Sequence, residues 1–265
     1  MSIAYNYEMM LTGAMTFIDM TGEIALVTGG GSGIGKAAAL TYAELGATVV
    51  IADLSASGAQ ATADGIRAAG KVAVPREVDI TDFDAVRHLA ADIEESVGPV
   101  SILANVAGWS TNQPFMENPP ELWHRLVAIN YLGTVQVCHA FLGPMIERRR
   151  GRVVNVGSDA GRVGSLGDSV YAGAKGAVLA FTKSLAREMA RFDITVNCVC
   201  PGPTDTPLYY SGQPERMQER LASANLFRRL GTAQEVADAI VYLASSRASF
   251  ITGQVLSASG GLTMV

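Results

Sequence analysis

Three residues in the second half of the chain have types and spacing suited to moving a proton. Tyr171 and Lys175 stand at i and i+4 in a stretch that reads as helix, so their side chains share one face. Ser158 lies 13 residues before Tyr171, just past an apolar run that reads as a strand. A free tyrosine titrates at about 10, too high for a base at neutral pH. A nearby ammonium, and a cationic ring bound alongside, would both favour the phenolate. Tyr171 would then serve as general acid/base for a hydroxyl. A serine hydroxyl such as Ser158 can hold and polarise the same oxygen.

A second constellation is suited to phosphate. Thr28-Gly29-Gly30-Gly31-Ser32-Gly33-Ile34-Gly35 follows an apolar strand and opens a helix. Glycine lets backbone N–H groups approach a pyrophosphate, and the helix N-terminus adds a favourable dipole. The spacing is G-x-x-x-G-x-G, at Gly29, Gly33 and Gly35, and no register fits G-x-G-x-x-G. Asp53 ends the next strand, 18 residues after Gly35. An acid about 20 residues on is placed to accept hydrogen bonds from a ribose 2′-OH. A 2′-phosphate would set like charge beside it, no Arg or Lys occurs at 54–60, and Ser32 is neutral. These residues point to NAD over NADP.

The elements that must carry these residues alternate along the chain. Strands are expected at 24–27, 47–52, 71–78, 100–105, 153–157, 194–199 and 255–257. Helices are expected at 37–45, 56–69, 82–97 (capped by Thr81), 119–149, 169–192 and 232–244 (capped by Thr232). Residues 205–226 read as an irregular helical insertion. Strands that are apolar throughout and spaced by helices imply an α/β fold: a doubly wound, Rossmann-type parallel sheet of about seven strands with helices on both faces. Its ligands sit beyond the carboxyl ends of the strands, near 28, 53, 79, 105, 157 and 200. The alternation without linker or repeat predicts one domain over 21–265, preceded by an N-terminal extension over 1–20.

Composition narrows the function classes. The 265 residues carry a net charge of −5, are 49% hydrophobic and include 28 glycines, five of them within 29–35. No basic footprint for nucleic acid is present, and Arg148-Arg149-Arg150 reads as a helix end. Cys138, Cys198 and Cys200 make neither a disulfide framework nor a zinc site, and His88, His124 and His139 lack ligand spacing; no metal is expected. Apolar residues near the start (Met9, Met10, Leu11, Phe17, Ile18) follow no Lys or Arg and surround Glu8, unlike a secretory signal. No membrane span is expected, and the chain reads as cytoplasmic.

Taken in order, these motifs resemble the short-chain dehydrogenase/reductase family over residues 22–263. The match runs through the Thr28–Gly35 loop, Asp53, Asp79, Asn105-Val106-Ala107-Gly108, Asn130, Ser158, Tyr171, Lys175, and Pro201-Gly202 with Thr206. Val106 departs from the Asn-Asn-Ala-Gly pattern. The resemblance implies a nicotinamide enzyme in which Tyr171 is the acid/base and Ser158 orients the substrate oxygen. Lys175 would hold the nicotinamide ribose and lower the tyrosine pKa, and Asn130 would position a relay water. It implies cofactor contacts from Gly29, Ser32, Gly33, Ile34, Gly35, Asp53 and Leu54, and from Asp79 and Ile80 at the adenine. Asn105, Ala107, Gly108, Tyr171, Lys175, Pro201, Gly202, Thr204 and Thr206 complete the set, the two threonines at the carboxamide end. It also implies a homotetramer.

The substrate pocket is expected from Trp109, Phe115, Ser158, the stretch 159–166 with Asp159, Arg162 and Val163, and the segment 203–227 with Tyr209 and Tyr210. Its apolar, aromatic character suits a hydrophobic secondary alcohol or ketone. Arg162, Arg216 and Arg220 are candidates for a carboxylate or coenzyme A phosphate, the last two also for a solvated helix face. Stretches 147–177, 200–206 and 250–254 are similar to 2-hydroxycyclohexanecarboxyl-CoA dehydrogenases, a resemblance that implies a cyclic or otherwise bulky secondary alcohol, and not the thioester itself. Two other activities stay open: a 3-oxoacyl-thioester reductase, and a non-catalytic nucleotide sensor on the same fold.

Overall fold

Ile24–Thr28 (β1) is buried along nearly its whole length, and its side chains divide by the two-residue period of a strand. Ala25 and Val27 join one apolar cluster and Leu26 the other. The computed structural model describes residues 18–211 and 215–265. Most of the expected extension over 1–20 lies outside the described residues. Its last residue, Met20, is buried and its N–H donates to the Leu45 carbonyl.

Six further strands join β1 in one parallel sheet: β2 (Thr48–Asp53), β3 (Ala73–Glu77), β4 (Ile102–Asn105), β5 (Gly151–Val156), β6 (Ile194–Pro201) and β9 (Val255–Ala258). Their order is β3-β2-β1-β4-β5-β6-β9, the expected doubly wound sheet. The chain runs outward from β1 to β3, then crosses back to place β4 on the other side of β1. That reversal opens a crevice at the carboxyl ends of β1 and β4. The register there aligns Thr28 with Asn105.

Helices cover both faces. α1 (Gly33–Glu44), α2 (Ala56–Ala68) and α10 (Ala233–Ala244) supply Ala38, Ala63 and Ile240 to one core. α3 (Phe83–Ser96), α5 (Gly133–Arg148) and α7 (Ser169–Met189) supply Ile93, Met145 and Leu185 to the other. α10 starts on a capping box, in which the Thr232 hydroxyl accepts from the Glu235 N–H and the Glu235 carboxylate accepts from the Thr232 N–H. The cap of α3 is Asp82, which accepts from the Ala85 N–H; Thr81, expected there, is bonded to Asp79 instead. α5 ends at Arg148 with Arg149 left-handed, as the basic run suggested.

The largest departure is in the expected helix 119–149. It divides into α4 (Pro120–Val127), a π turn over Ala128–Leu132, and α5. Apolar periodicity does not report a switch from i→i+4 to i→i+5 bonding. The combined segment 120–148 is long and apolar enough to cross a membrane, contrary to expectation, but 44% of its apolar window is buried against the rest of the fold, as in a core helix. The short helix α6 (Ala160–Val163) precedes α7, and the insertion holds α8 (Pro207–Ser211) and α9 (Glu215–Ala222). A short ladder, β7 (Thr204–Asp205) with β8 (Gly231–Thr232), flanks it and has no apolar signature.

Candidate active site

The glycine loop is built by close approach, and two glycines show why no other residue fits. A Cβ on Gly35 would lie 2.1 Å from the Gly29 carbonyl oxygen. One on Gly29, at φ +67°, would lie 2.8 Å from the Ala107 Cα. The loop therefore folds onto itself and onto the β4 exit, and it becomes the first turn of α1, four residues ahead of the expected start. Thr28 links the two strand ends: its Oγ1 accepts from the N–H groups of Val106 (3.1 Å) and Ala107 (3.2 Å).

Around the crevice lies a cleft of about 670 Å³. Its wall includes Gly29, Ser32, Gly33, Ile34, Gly35, Asp53, Leu54, Asp79, Ile80, Ala107, Gly108 and Thr206 from the expected cofactor set, and Trp109 from the expected pocket. Asp53 accepts from the Gly31 N–H and the Ser55 N–H, both at 2.8 Å, so its carboxylate faces the glycine loop. Asp79 is held by the Thr81 N–H (2.8 Å) and hydroxyl (2.7 Å). Pro207 and Leu208, from the segment expected to build the pocket, also line the cleft, as do Val106, His124, Arg125 and Ile129, which the sequence does not single out as site residues.

Four expected cofactor residues stand behind the wall. Asn105 is buried, with its amide donating to the Asn155 Oδ1 (2.8 Å) and to the Cys138 sulfur. Thr204 is buried and donates to the Gly202 carbonyl (2.8 Å), while Gly202 packs on Ser259. Pro201 ends β6. Pro201, Gly202 and Thr204 thus shape the segment that carries Thr206 to the cleft.

Beside the cleft stand the residues expected to move a proton. Lys175 is 3% exposed and donates from Nζ to the Val156 carbonyl at 2.8 Å. A Cβ on Gly108 would come within 3.0 Å of the Asn130 Oδ1 and 3.3 Å of the Lys175 Nζ, so glycine lets the cleft wall close onto both. The Lys175 Nζ is 6.0 Å from the Tyr171 ring centroid. Asn130, in the π turn, clamps Trp109: its Oδ1 accepts the Trp109 N–H (3.1 Å) and its Nδ2 donates to the Trp109 carbonyl (2.7 Å). Nδ2 also donates to the Leu126 carbonyl (3.0 Å), which uses both of its hydrogens. π turns inside helices often mark functional sites.

The electrostatics differ from the expectation that Lys175 lowers the tyrosine pKa. Burial pushes the Tyr171 phenol up to about 12, opposed by the Ser158 hydroxyl and reinforced by the negative Asp168. Burial also pulls Lys175 down to about 8. Desolvation thus favours the neutral form of both groups here. Asp168, one turn before Tyr171, is 8% exposed and accepts from the Ser165 hydroxyl (2.9 Å) and the Ser110 hydroxyl (3.3 Å). Its burial raises its pKa. A carboxylate at i−3 from the tyrosine was a legible signal and was passed over.

Much of the expected pocket is used otherwise. Asp159 is buried and accepts from the Ser257 hydroxyl at 2.6 Å. Arg162 donates to Ser257 (2.8 Å), the Val255 carbonyl (3.3 Å) and the Val265 carbonyl. Both residues fasten β9 and the chain beyond it to the β5 exit, and neither lines the cleft. Val163 and Tyr210 are exposed, and Phe115 stacks on Trp123 away from the cleft wall. The Tyr209 hydroxyl donates to the Gln218 carbonyl. The Arg216 side chain lies outside the described residues. Cys198 and Cys200 are buried on one face of β6 beneath Gly157, where a Cβ would meet both sulfurs within 3.0 Å.

Comparison with known proteins agrees with this arrangement. Residues 29–263 match the family described as enoyl-(acyl carrier protein) reductase. The 3-oxoacyl-[acyl-carrier-protein] reductase of Escherichia coli is 37% identical, covering 94% of this chain and 100% of the relative. That of Thermotoga maritima is 35% identical, covering 92% and 99%. The (2S)-[(R)-hydroxy(phenyl)methyl]succinyl-CoA dehydrogenase subunit of Thauera aromatica is 36% identical, covering 91% and 97%. With a seven-stranded parallel sheet, a glycine loop at its switch point and a tyrosine and lysine beside it, the chain belongs to the short-chain dehydrogenase/reductase family, oxidoreductases that use a nicotinamide cofactor.

Proposed function

We propose that the protein is an NAD-linked oxidoreductase that interconverts a bulky or cyclic secondary alcohol and its ketone. The observation that carries this reading is the buried Lys175 and Asn130 meeting at Gly108, with Tyr171 one helical turn before Lys175. The cleft fits a dinucleotide, because its wall joins the glycine loop at the N-terminus of α1 to Asp53 and Asp79 at the next two strand exits. Gly29, Gly33 and Gly35 would hold the pyrophosphate, Asp53 the adenosine ribose, and Asp79 with Ile80 the adenine. When bound, the nicotinamide supplies or accepts the hydride.

The chain's own groups manage the proton. The Tyr171 hydroxyl gives its proton to the substrate oxygen in reduction and takes one in oxidation. The Ser158 hydroxyl holds that oxygen. Lys175 orients the nicotinamide ribose from its seat on the Val156 carbonyl. Asn130 fixes the backbone of Trp109 and keeps one lone pair of Oδ1 for a relay water. The chemistry is that of a soluble, cytoplasmic homotetramer folded as one domain over 21–265.

A 3-oxoacyl-thioester substrate is the second reading. It is favoured by the relatives, whose names describe a 3-oxoacyl group on a carrier protein in the reductases and a hydroxyl-bearing acyl-CoA in the dehydrogenase subunit. An NADH absorbance screen tests the two readings. It would set cyclic, benzylic and linear secondary alcohols against 3-hydroxyacyl thioesters, with both cofactors supplied. Turnover of no alcohol or ketone in either set would end the proposal.

Two outcomes follow from the site geometry. The parent protein should prefer NAD, and Asp53→Ser should raise the NADP/NAD ratio of kcat/KM by about tenfold or more, one pKa-unit equivalent of relieved repulsion. The same variant should lose some NAD efficiency, because the Gly31 and Ser55 N–H groups lose their acceptor. Equal rates with both cofactors in the parent would contradict the assignment. In ketone reduction the active form carries the Tyr171 proton, so activity falls as pH rises through its pKa. Asp168 raises that pKa, so Asp168→Asn should move the alkaline limb of the rate profile to lower pH. An unmoved limb would remove Asp168 from the proton chemistry.

A further inference from the structure

We propose that Arg125, laid over the Trp109 ring, recognises a carboxylate on the substrate at the mouth of the cleft. The inference rests on the reading of the cleft as a dinucleotide and substrate site.

The guanidinium carbon lies 4.0 Å from the Trp109 ring centroid, a stacked cation–π contact. Both residues line the cleft. Among the described residues, the Arg125 side chain makes no ion pair and no hydrogen bond, although it is exposed and its N–H fork is oriented by the stack. A planar fork with free donors matches a carboxylate in two parallel bonds. By contrast, the acids on the same wall are engaged: Asp53 by Gly31 and Ser55, Asp79 by Thr81.

The stack is fixed from both sides. Trp109 has its N–H and its carbonyl held by Asn130. Arg125 stands in the last turn of α4, immediately before the π turn that carries Asn130. The Asn130 side chain therefore sets the position of the Trp109 backbone relative to the helix that supplies the cation. Little ordering is left to be done when an anion arrives, which favours affinity.

Position argues for the substrate over the cofactor as the source of the anion. The glycine loop already provides a pyrophosphate site at the N-terminus of α1. Trp109 directly follows Gly108, which packs on Lys175 and Asn130, so the stack stands at the reacting end of the cleft. The cation expected from sequence to meet a carboxylate, Arg162, is committed to β9.

The test is isothermal titration of the full chain, preloaded with NAD so that a ketone binds without being reduced, with 4-oxocyclohexanecarboxylate and with its neutral analogue 4-oxocyclohexanecarboxamide. NADH affinity is measured separately by fluorescence. The parent should bind the carboxylate about tenfold or more tighter than the amide, the worth of a charge-assisted pair. Arg125→Gln should abolish that preference and Arg125→Lys should keep part of it. Equal affinity for the two ketones in the parent, no binding of the carboxylate, or a preference that survives in Arg125→Gln would each overturn the inference. So would a loss of NADH affinity in Arg125→Gln as large as the loss of carboxylate affinity, since the anion would then be the cofactor's. Failure of the parent to bind NADH at all would instead sink the reading of the cleft.

Discussion

Tyr171→Phe should lower turnover by about a hundredfold to ten-thousandfold, the contribution of a positioned acid/base, in both directions of the reaction. The substitution removes one oxygen and leaves the ring. NADH affinity should stay within a factor of about two, because the cleft wall is made by other residues. Stopped-flow single turnovers together with fluorescence titration separate the two effects. A variant that still turns over at a tenth of the parental rate would remove Tyr171 from the chemistry, and one that no longer binds NADH would make it a structural residue. Ser158 acts on the same oxygen, so Ser158→Ala combined with Tyr171→Phe should be far less than additive.

The second large effect is expected from a single methyl group. Gly35→Ala would place a Cβ 2.1 Å from the Gly29 carbonyl oxygen and 2.7 Å from its carbonyl carbon. Both neighbours are backbone, so no side chain can swing away. The loop must open, which costs several kcal/mol of the kind seen for overpacked interiors. It also moves the N–H groups that would meet a pyrophosphate. NADH affinity should fall by about a hundredfold or more, and the melting temperature should drop by several degrees. Gly173→Ala serves as the control: it lies on α7, where a Cβ meets nothing within 4 Å, and helix propensity alone would leave stability equal or slightly higher. If Gly35→Ala bound NADH like the parent, the loop would not be the pyrophosphate site.

The division between what the sequence disclosed and what it concealed has a physical pattern. Strands buried on both faces write continuous apolar runs, so all seven strands of the sheet lie within two residues of the ends expected from sequence. The Asp53 and glycine-loop pairing was legible because strand exits recur at fixed intervals in this topology. Hydrogen-bond type is not written in apolar periodicity, so the π turn at Ala128–Leu132 was read through as ordinary helix. Competition between partners was equally hidden. Asp159 and Arg162 have the chemistry of pocket residues, but Ser257 on β9 engages both from almost a hundred positions away in the chain. The shifts in Tyr171 and Lys175 follow from burial, which depends on the whole fold and not on their spacing.

The π turn between α4 and α5 has one more consequence. A regular α-helix turns about 100° per residue, so one residue more or less reorients everything beyond it by that angle. The extra residue in Ala128–Leu132 sets the phase between two demands on one helical rod. Downstream, Val137, Phe141 and Met145 must face the sheet. Upstream, Arg125 must face Trp109, and Asn130 must reach the same residue's backbone. An uninterrupted helix could meet one demand only. A chain shortened by one residue there would keep a well-packed core and lose the cleft mouth, so this segment is where length, more than residue identity, separates a folded protein from a working one.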